Sequence, residues 1–114
     1  MGLMVTLGRE LIRYNPSNGH IEYSTSQGRV WSTRYSGSSI GSVKSLIVYR
    51  NELILCSDKG VFCSTSQGRV WAVRSSSNRN FIDLLESGPE LLAYTDDGHL
   101  YYSTSAGRVW SRRK

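Results

Sequence analysis

Two cysteines, two prolines and two histidines in 114 residues leave little material for several kinds of chemistry. Cys56 and Cys63 are too few for a disulfide framework and lack Cys-x-x-Cys spacing, so they are expected as core thiols. His20 and His99 follow Gly19 and Gly98 at matching places and have no third ligand in sequence, which gives no reason to expect a metal. No motif for a cofactor is found. Long apolar runs are also missing: the opening MGLMVTLGRELIRY has no basic stretch before a hydrophobic core and no small-residue cleavage pattern. Secretion and membrane insertion are therefore unsupported, and a cytoplasmic, non-membrane protein is expected. Gly2 and Thr6 sit where a myristoylation motif would put them, but no polybasic second anchor follows.

What is present suits a folded chain. Charged residues make up 20% and hydrophobic residues 39%, with seven Tyr and three Trp, a balance unlike that of disordered segments. The length fits one domain with one core. A formal charge of +5 is compatible with an anionic partner without requiring one.

The dominant feature is a repeat. STSQGRVW begins at Ser24 and again at Ser64, and STSAGRVW begins at Ser103, at spacings of 40 and 39 residues. Glu10-Leu11-Ile12, Glu52-Leu53-Ile54 and Glu90-Leu91-Leu92 precede the three copies. The unit is thus larger than the octapeptide, and the chain divides at about 1–34, 35–74 and 75–114.

Each unit reads as four short strands rich in β-branched and aromatic residues, parted by Gly, Asn, Asp and Ser. In the second unit these are 43–49, 52–57, 60–64 and 69–74; the third has 81–86, 90–95, 99–103 and 108–112. The first has 3–7, 10–14, 20–24 and 29–34. No periodic stretch is long enough for a helix. A tight loop at Lys59-Gly60 predicts Cys56 opposite Cys63, the equivalent at Asp97-Gly98 predicts Tyr94 opposite Tyr102, and Tyr14 and Tyr23 take the same places in unit one.

A four-stranded unit of this length ending in a Trp-bearing strand points to an all-β propeller of three blades. Segments such as Leu53-Ile54-Leu55 are apolar on consecutive residues and need cover on both faces, which neighbouring blades supply. A sandwich or barrel with internal repeats is the alternative. Three blades do not close a ring, so a homodimer forming six blades is the simplest expectation; a nine-bladed trimer and a fragment of a longer ring are the others.

The octapeptide resembles the Asp box of sialidase-like propellers with BNR repeats, Ser-x-Asp-x-Gly-x-x-Trp, found between the third and fourth strands of a blade. Ser24, Gly28 and Trp31 match, as do Ser64, Gly68 and Trp71, and Ser103, Gly107 and Trp110. Ser26, Ser66 and Ser105 stand where that family has Asp. The resemblance implies a structural element on the face away from the ligand site, with Gly supplying an unusual backbone angle and Trp filling space between blades. A sialidase also needs an arginine cluster, a Tyr activated by a Glu and an Asp acid/base. Tyr35, Glu86 and Asp83 are the nominal candidates, no pairing among them is visible, and no catalytic residue is assigned.

The opposite surface, made by loops at 15–19, 35–42, 58–60, 75–80 and 96–99, is expected to bind. An arginine follows each Trp by three residues: Arg34, Arg74 and Arg113. With Tyr35 and Arg79 these form the expected ligand-binding set, and Lys44, Arg112 and Lys114 extend its positive field. Guanidinium groups repeated around one face suit carboxylates or phosphates. The expected function is a non-catalytic module for carbohydrate or another anionic ligand. A basic-rim scaffold for nucleic acid or protein is the first alternative and a sialidase-type glycoside hydrolase the second.

Overall fold

In a computed structural model the chain is described over residues 3–76 and 79–113. It contains three separate four-stranded antiparallel sheets, each in sequence order. Blade one holds β1 (Met4–Leu7), β2 (Glu10–Asn15), β3 (His20–Ser24) and β4 (Ser32–Tyr35); blade two holds β5 (Val43–Tyr49), β6 (Glu52–Ser57), β7 (Gly60–Ser64) and β8 (Ala72–Ser75). Blade three holds β9 (Phe81–Ser87), β10 (Glu90–Thr95), β11 (Leu100–Ser103) and β12 (Ser111–Arg112). The three four-stranded sheets match a propeller-blade arrangement.

Two local expectations are corrected. The last strand of each blade begins after the Trp and not at Arg29, Arg69 or Arg108, because the repeated octapeptide is itself a turn. Ser24 Oγ accepts from the Gly28 amide at 2.9 Å, and Ser26 Oγ accepts from the Val30 amide at 2.8 Å. The same bonds recur from Gly68 to Ser64 and Val70 to Ser66, and from Gly107 to Ser103 and Val109 to Ser105. Amides tied to side chains in this way are not free to extend a ladder. Gly28, Gly68 and Gly107 take φ of 91°, 95° and 96°, a region closed to most side chains.

The second correction is of register. Cys56 lies opposite Val61 and Cys63 opposite Ile54; Tyr94 faces Leu100 and Leu92 faces Tyr102; Tyr14 faces Ile21 and Ile12 faces Tyr23. In blade two Ser57 pairs with Gly60, so the loop residues are Asp58 and Lys59 and the cross-strand partners move accordingly. Gly60 serves a different need: a Cβ there would lie 2.3 Å from the Ser75 carbonyl oxygen.

The core consists of two seams, which is why blade two is apolar on both faces. Leu46, Leu53, Leu55 and Phe62 pack toward Ile12, Tyr14 and Ile21 of blade one. Ile54, Cys56, Val61 and Cys63 pack on the other side toward Phe81, Leu91, Ala93 and Trp110 of blade three. Strand alternation sends neighbouring residues to opposite seams, so consecutive apolar residues are required.

Candidate functional site

The antiparallel registers sort the connections between two ends of the molecule. The octapeptide turns and the β1–β2, β5–β6 and β9–β10 turns lie at one end. The β2–β3, β6–β7 and β10–β11 loops and the connections between blades lie at the other.

The arginines do not form a ligand surface at the loop end. In β4 and β8 the register slips between Ile21 and Glu22 and between Val61 and Phe62, which leaves Arg34 and Arg74 as the extra, bulged residues. A bulge re-aims its side chain, and these turn toward the octapeptide end. Arg34 gives Nη1 and Nη2 to the two carboxylate oxygens of Glu10 at 2.6 and 2.8 Å. Its Nη1 also reaches the Gln67 carbonyl of the next blade at 3.1 Å, and its guanidinium lies 3.8 Å from the Tyr23 ring. Arg74 repeats the arrangement, with Glu52 at 2.9 Å, the Ala106 carbonyl at 3.0 Å and Cys63 Sγ at 2.9 Å in place of the ring. Arg113 pairs with both oxygens of Glu90 at 2.9 and 2.8 Å and stacks 4.0 Å from the Tyr102 ring.

Arg34 and Arg74 are fasteners between blades, whereas Arg113 is tied within its own blade. The side chains of Arg34 and Arg74 are 4% and 6% exposed, which leaves little of either guanidinium open to a ligand carboxylate. Arg34's hydrogen bonds hold the Glu10 carboxyl below the ordinary carboxylate range, and the Arg34 guanidinium is correspondingly pushed up. Sequence inspection finds the periodic Glu and the periodic Arg separately; their shared blade spacing is the signal that they pair.

Tyr35 and Arg79 do stand at the loop end. The Tyr35 hydroxyl shares a hydrogen bond with Ser39 Oγ at 2.5 Å beside the first seam. The Arg79 guanidinium lies 5.6 Å from the Tyr101 ring, beside the second. Lys44 is half-buried and Arg112 exposed, and Lys114 lies outside the described residues, as do residues 77 and 78 of the 75–80 loop.

A cleft of about 210 Å³ opens at this end between blades two and three, lined by Lys44, Ser57, Asp58, Asn80, Phe81 and Asp96 with Ile82 beside them. Its walls are pinned by equivalent bonds: the Asp58 amide donates to the Ser42 carbonyl and the Asp96 amide to the Asn80 carbonyl, each at 3.2 Å. Asp58 Oδ1 also accepts from the Ser42 amide at 2.8 Å. Phe81 forms the apolar floor and is held by Trp110 and Tyr101 at ring distances of 4.9 and 5.4 Å. The cleft therefore offers an ammonium, two carboxylates, an amide and a hydroxyl around an apolar base, and sequence reasoning did not bring these residues together because they come from four separate segments.

The nominal sialidase residues are dispersed. Tyr35 is in β4, Glu86 is exposed near the opposite end of β9, and Asp83 lies in the second seam, where it accepts from Ser45 Oγ at 3.1 Å. Asp97 takes the Thr95 hydroxyl, and His99 Nε2 stands 3.6 Å from its other oxygen. The Thr95 bond, followed by His99, holds the Asp97 carboxyl below its usual range. Among the described residues no group of three or more His, Cys, Asp or Glu could hold a metal ion, and no helix is long and apolar enough to cross a membrane.

The fold can now be set beside known proteins. The family described as Strictosidine synthase-like, N-terminal, matches residues 77–112, about a third of the chain. Among curated proteins there is no match. An ancestral GH74 enzyme is similar with a TM-score of 0.73 at 15% identity, over 97% of this chain and 18% of that one. YCF48 bound to D1 peptide is similar with a TM-score of 0.74 at 13% identity, over 97% of this chain and 40% of that one. At such identities the likeness is one of fold, and this chain spans only a minor part of either structure.

Proposed function

We propose that the chain is a non-catalytic binding module that holds a polar ligand of carbohydrate type in the loop-end cleft, within a six-bladed ring made from two copies. The observation that carries this reading is the cleft itself: fixed backbone walls, an apolar floor and a mixed set of donors and acceptors from Lys44, Asn80 and Asp96. Hydroxyl-rich ligands use such sets, because each polar group fixes orientation while the floor takes the apolar face of the ring. Repetition of a weak site around a ring adds avidity.

A glycan microarray with the intact chain tests it, followed by titration of the best glycan against K44A and D96N. Binding weakened about tenfold or more by either substitution, with the fold unchanged, is the expected result. Binding unaffected by both would remove the cleft from the reading.

A second reading is a peptide-binding module. The fold shared with YCF48, seen bound to D1 peptide, favours it. A peptide ligand would occupy the same loop end. The basic-rim scaffold draws support from Arg29, Arg69 and Arg108, which are exposed at the octapeptide end and lightly tied to the Ser26, Ser66 and Ser105 carbonyls. Polyanion binding through them would fall steeply with salt.

A further inference from the structure

The two seams follow one rule, and blades one and three each carry half of it on their outer faces. At each seam an arginine clasped by its own blade's Glu reaches the left-handed residue of the next octapeptide turn: Arg34 to the Gln67 carbonyl, Arg74 to the Ala106 carbonyl. The following glycine packs under that contact, Gly68 against Ile21 and Arg34, Gly107 against Val61 and Arg74. Arg113 keeps its Glu90 clasp, yet among the described residues it reaches no turn carbonyl, and its side chain is 42% exposed. At the other end Gln27 has the same left-handed φ of 61° with, among the described residues, no arginine at its carbonyl, and among them Gly28 meets Leu11 and Trp31 of its own blade.

The faces around these half-clasps are also open. Leu85, Leu92, Tyr94 and Leu100 line an apolar cavity of about 190 Å³ on the outer face of blade three. Their counterparts in blade two, Ile47, Ile54, Cys56 and Val61, are covered by blade three. On blade one, Met4 is 57% exposed where its counterparts Leu46 and Leu84 are buried in seams. The outer face there is completed by the Arg13–Glu22 pair, at 2.8 Å, with Arg13 lying 3.9 Å from the Trp31 ring. Tyr14 shares the buried cluster of the first seam with Leu55 and Phe62 of blade two; the same register sets Tyr94 against Arg13 and Glu22, where a phenol offers both a ring face and a hydroxyl.

We infer that blade three of one copy docks on blade one of a second copy in the register of the internal seams, with Arg113 donating to the Gln27 carbonyl across the junction. Two such junctions close six blades, within the four to eight that propellers use, whereas three copies would make nine. The contact is heterologous and closes only because the rotation per blade is shared. This rests on the six-bladed reading proposed above and adds the residues of the junction.

The test is light scattering of the intact chain at low micromolar concentration, with variants L85E, M4E, V70E and R113A. Leu85, Met4 and Val70 are 60%, 57% and 67% exposed in the single chain, so the substitutions should leave its fold intact, to be checked by circular dichroism. The wild type and V70E are expected at twice the 12.8 kDa chain mass, and L85E and M4E at the chain mass. R113A should weaken the dimer roughly a hundredfold, about tenfold for each of two junctions. A wild type of single-chain mass would sink the ring reading and the junction together. A dimer lost in L85E but kept in M4E would mean blade three pairing with itself, and a dimer indifferent to both would place the contact elsewhere; either overturns the junction and leaves the ring to be closed another way. A mass of three chains overturns closure by two copies.

Discussion

Arg34 and Glu10 form a two-pronged ion pair, at 2.6 and 2.8 Å, that also ties blade one to the turn of blade two through the Gln67 carbonyl. Removing the arginine leaves a carboxylate that is 19% exposed without its counter-charge and a carbonyl without its donor. Breaking such a pair from one side costs about 3 kcal/mol. R34A and R74A should therefore both lower the urea midpoint strongly. R113A should cost little in the single chain, because that pair is more open to water and exposed pairs contribute little. Equal effects from all three would mean that the inter-blade carbonyl and the burial do not matter.

Gly68 and Gly8 separate two reasons for glycine. Both have positive φ, 95° and 61°, but a Cβ on Gly68 would lie 3.4 Å from Ile21 Cγ2 and from Leu53 Cδ1, whereas nothing lies within 4 Å of one on Gly8. G8A carries only the backbone penalty of about 1 kcal/mol. G68A adds crowding inside the seam, and a loss of roughly 2 to 4 kcal/mol is expected. Denaturant unfolding of the two variants checks the order.

How far the sequence could be read follows from these residues. The blade count, the strand order and the seam-filling Trp71 and Trp110 were legible because a period of 40 and 39 residues and an alternating apolar pattern are local signals. The Arg clasp was not, because it depends on a bulge at Arg34 and Arg74, and a bulge has no reliable sequence marker. It turns a side chain expected at the loop end toward the other one. The Cys56 register differs from the expected one for a smaller reason: Gly60 lies in β7 opposite Ser57, where it makes room for the Ser75 carbonyl, and the loop residues are Asp58 and Lys59. The loop-end cleft was invisible as a set, since the wall with Lys44 and Ser57 and the wall with Asn80 and Asp96 are brought together by packing of blade two on blade three.

Acid should loosen the molecule in a definite window. The carboxyls of Glu10 and Glu22 are held below the ordinary value of 4.5 in the folded chain. For Glu10 the Arg34 hydrogen bonds lead. For Glu22 burial acts upward but is outweighed by donors from Arg13, Asn18 and Asn15. A carboxyl depressed by folding contributes stability that is fully present above its unfolded value and is lost as pH falls through the folded one. Melting temperature should hold between pH 7 and about 5 and drop below about 4.5. E10Q should be less stable at neutral pH and less sensitive to acid; a Tm that falls equally with pH in E10Q and wild type would mean that other groups govern the transition.

The two thiols should be inert in the folded chain and unable to join. Cys56 is fully buried, and burial, aided by the nearby Asp83 charge, pushes its thiol up to about 12. Thiolate is the reacting form, so at pH 8 it is absent for practical purposes. Cys63 is 7% exposed, and its sulfur accepts from Arg74 Nη2. The pair is also offset: Cys56 lies opposite Val61, two residues from Cys63, a diagonal placement at about 7 to 8 Å between Cα atoms, beyond the span a disulfide ordinarily bridges. Treatment with a thiol reagent at pH 8 should label neither cysteine in buffer and both in urea, and oxidant should give no intramolecular crosslink in the native chain. Rapid labelling without denaturant would show that the seam between blades two and three opens on the timescale of the reaction.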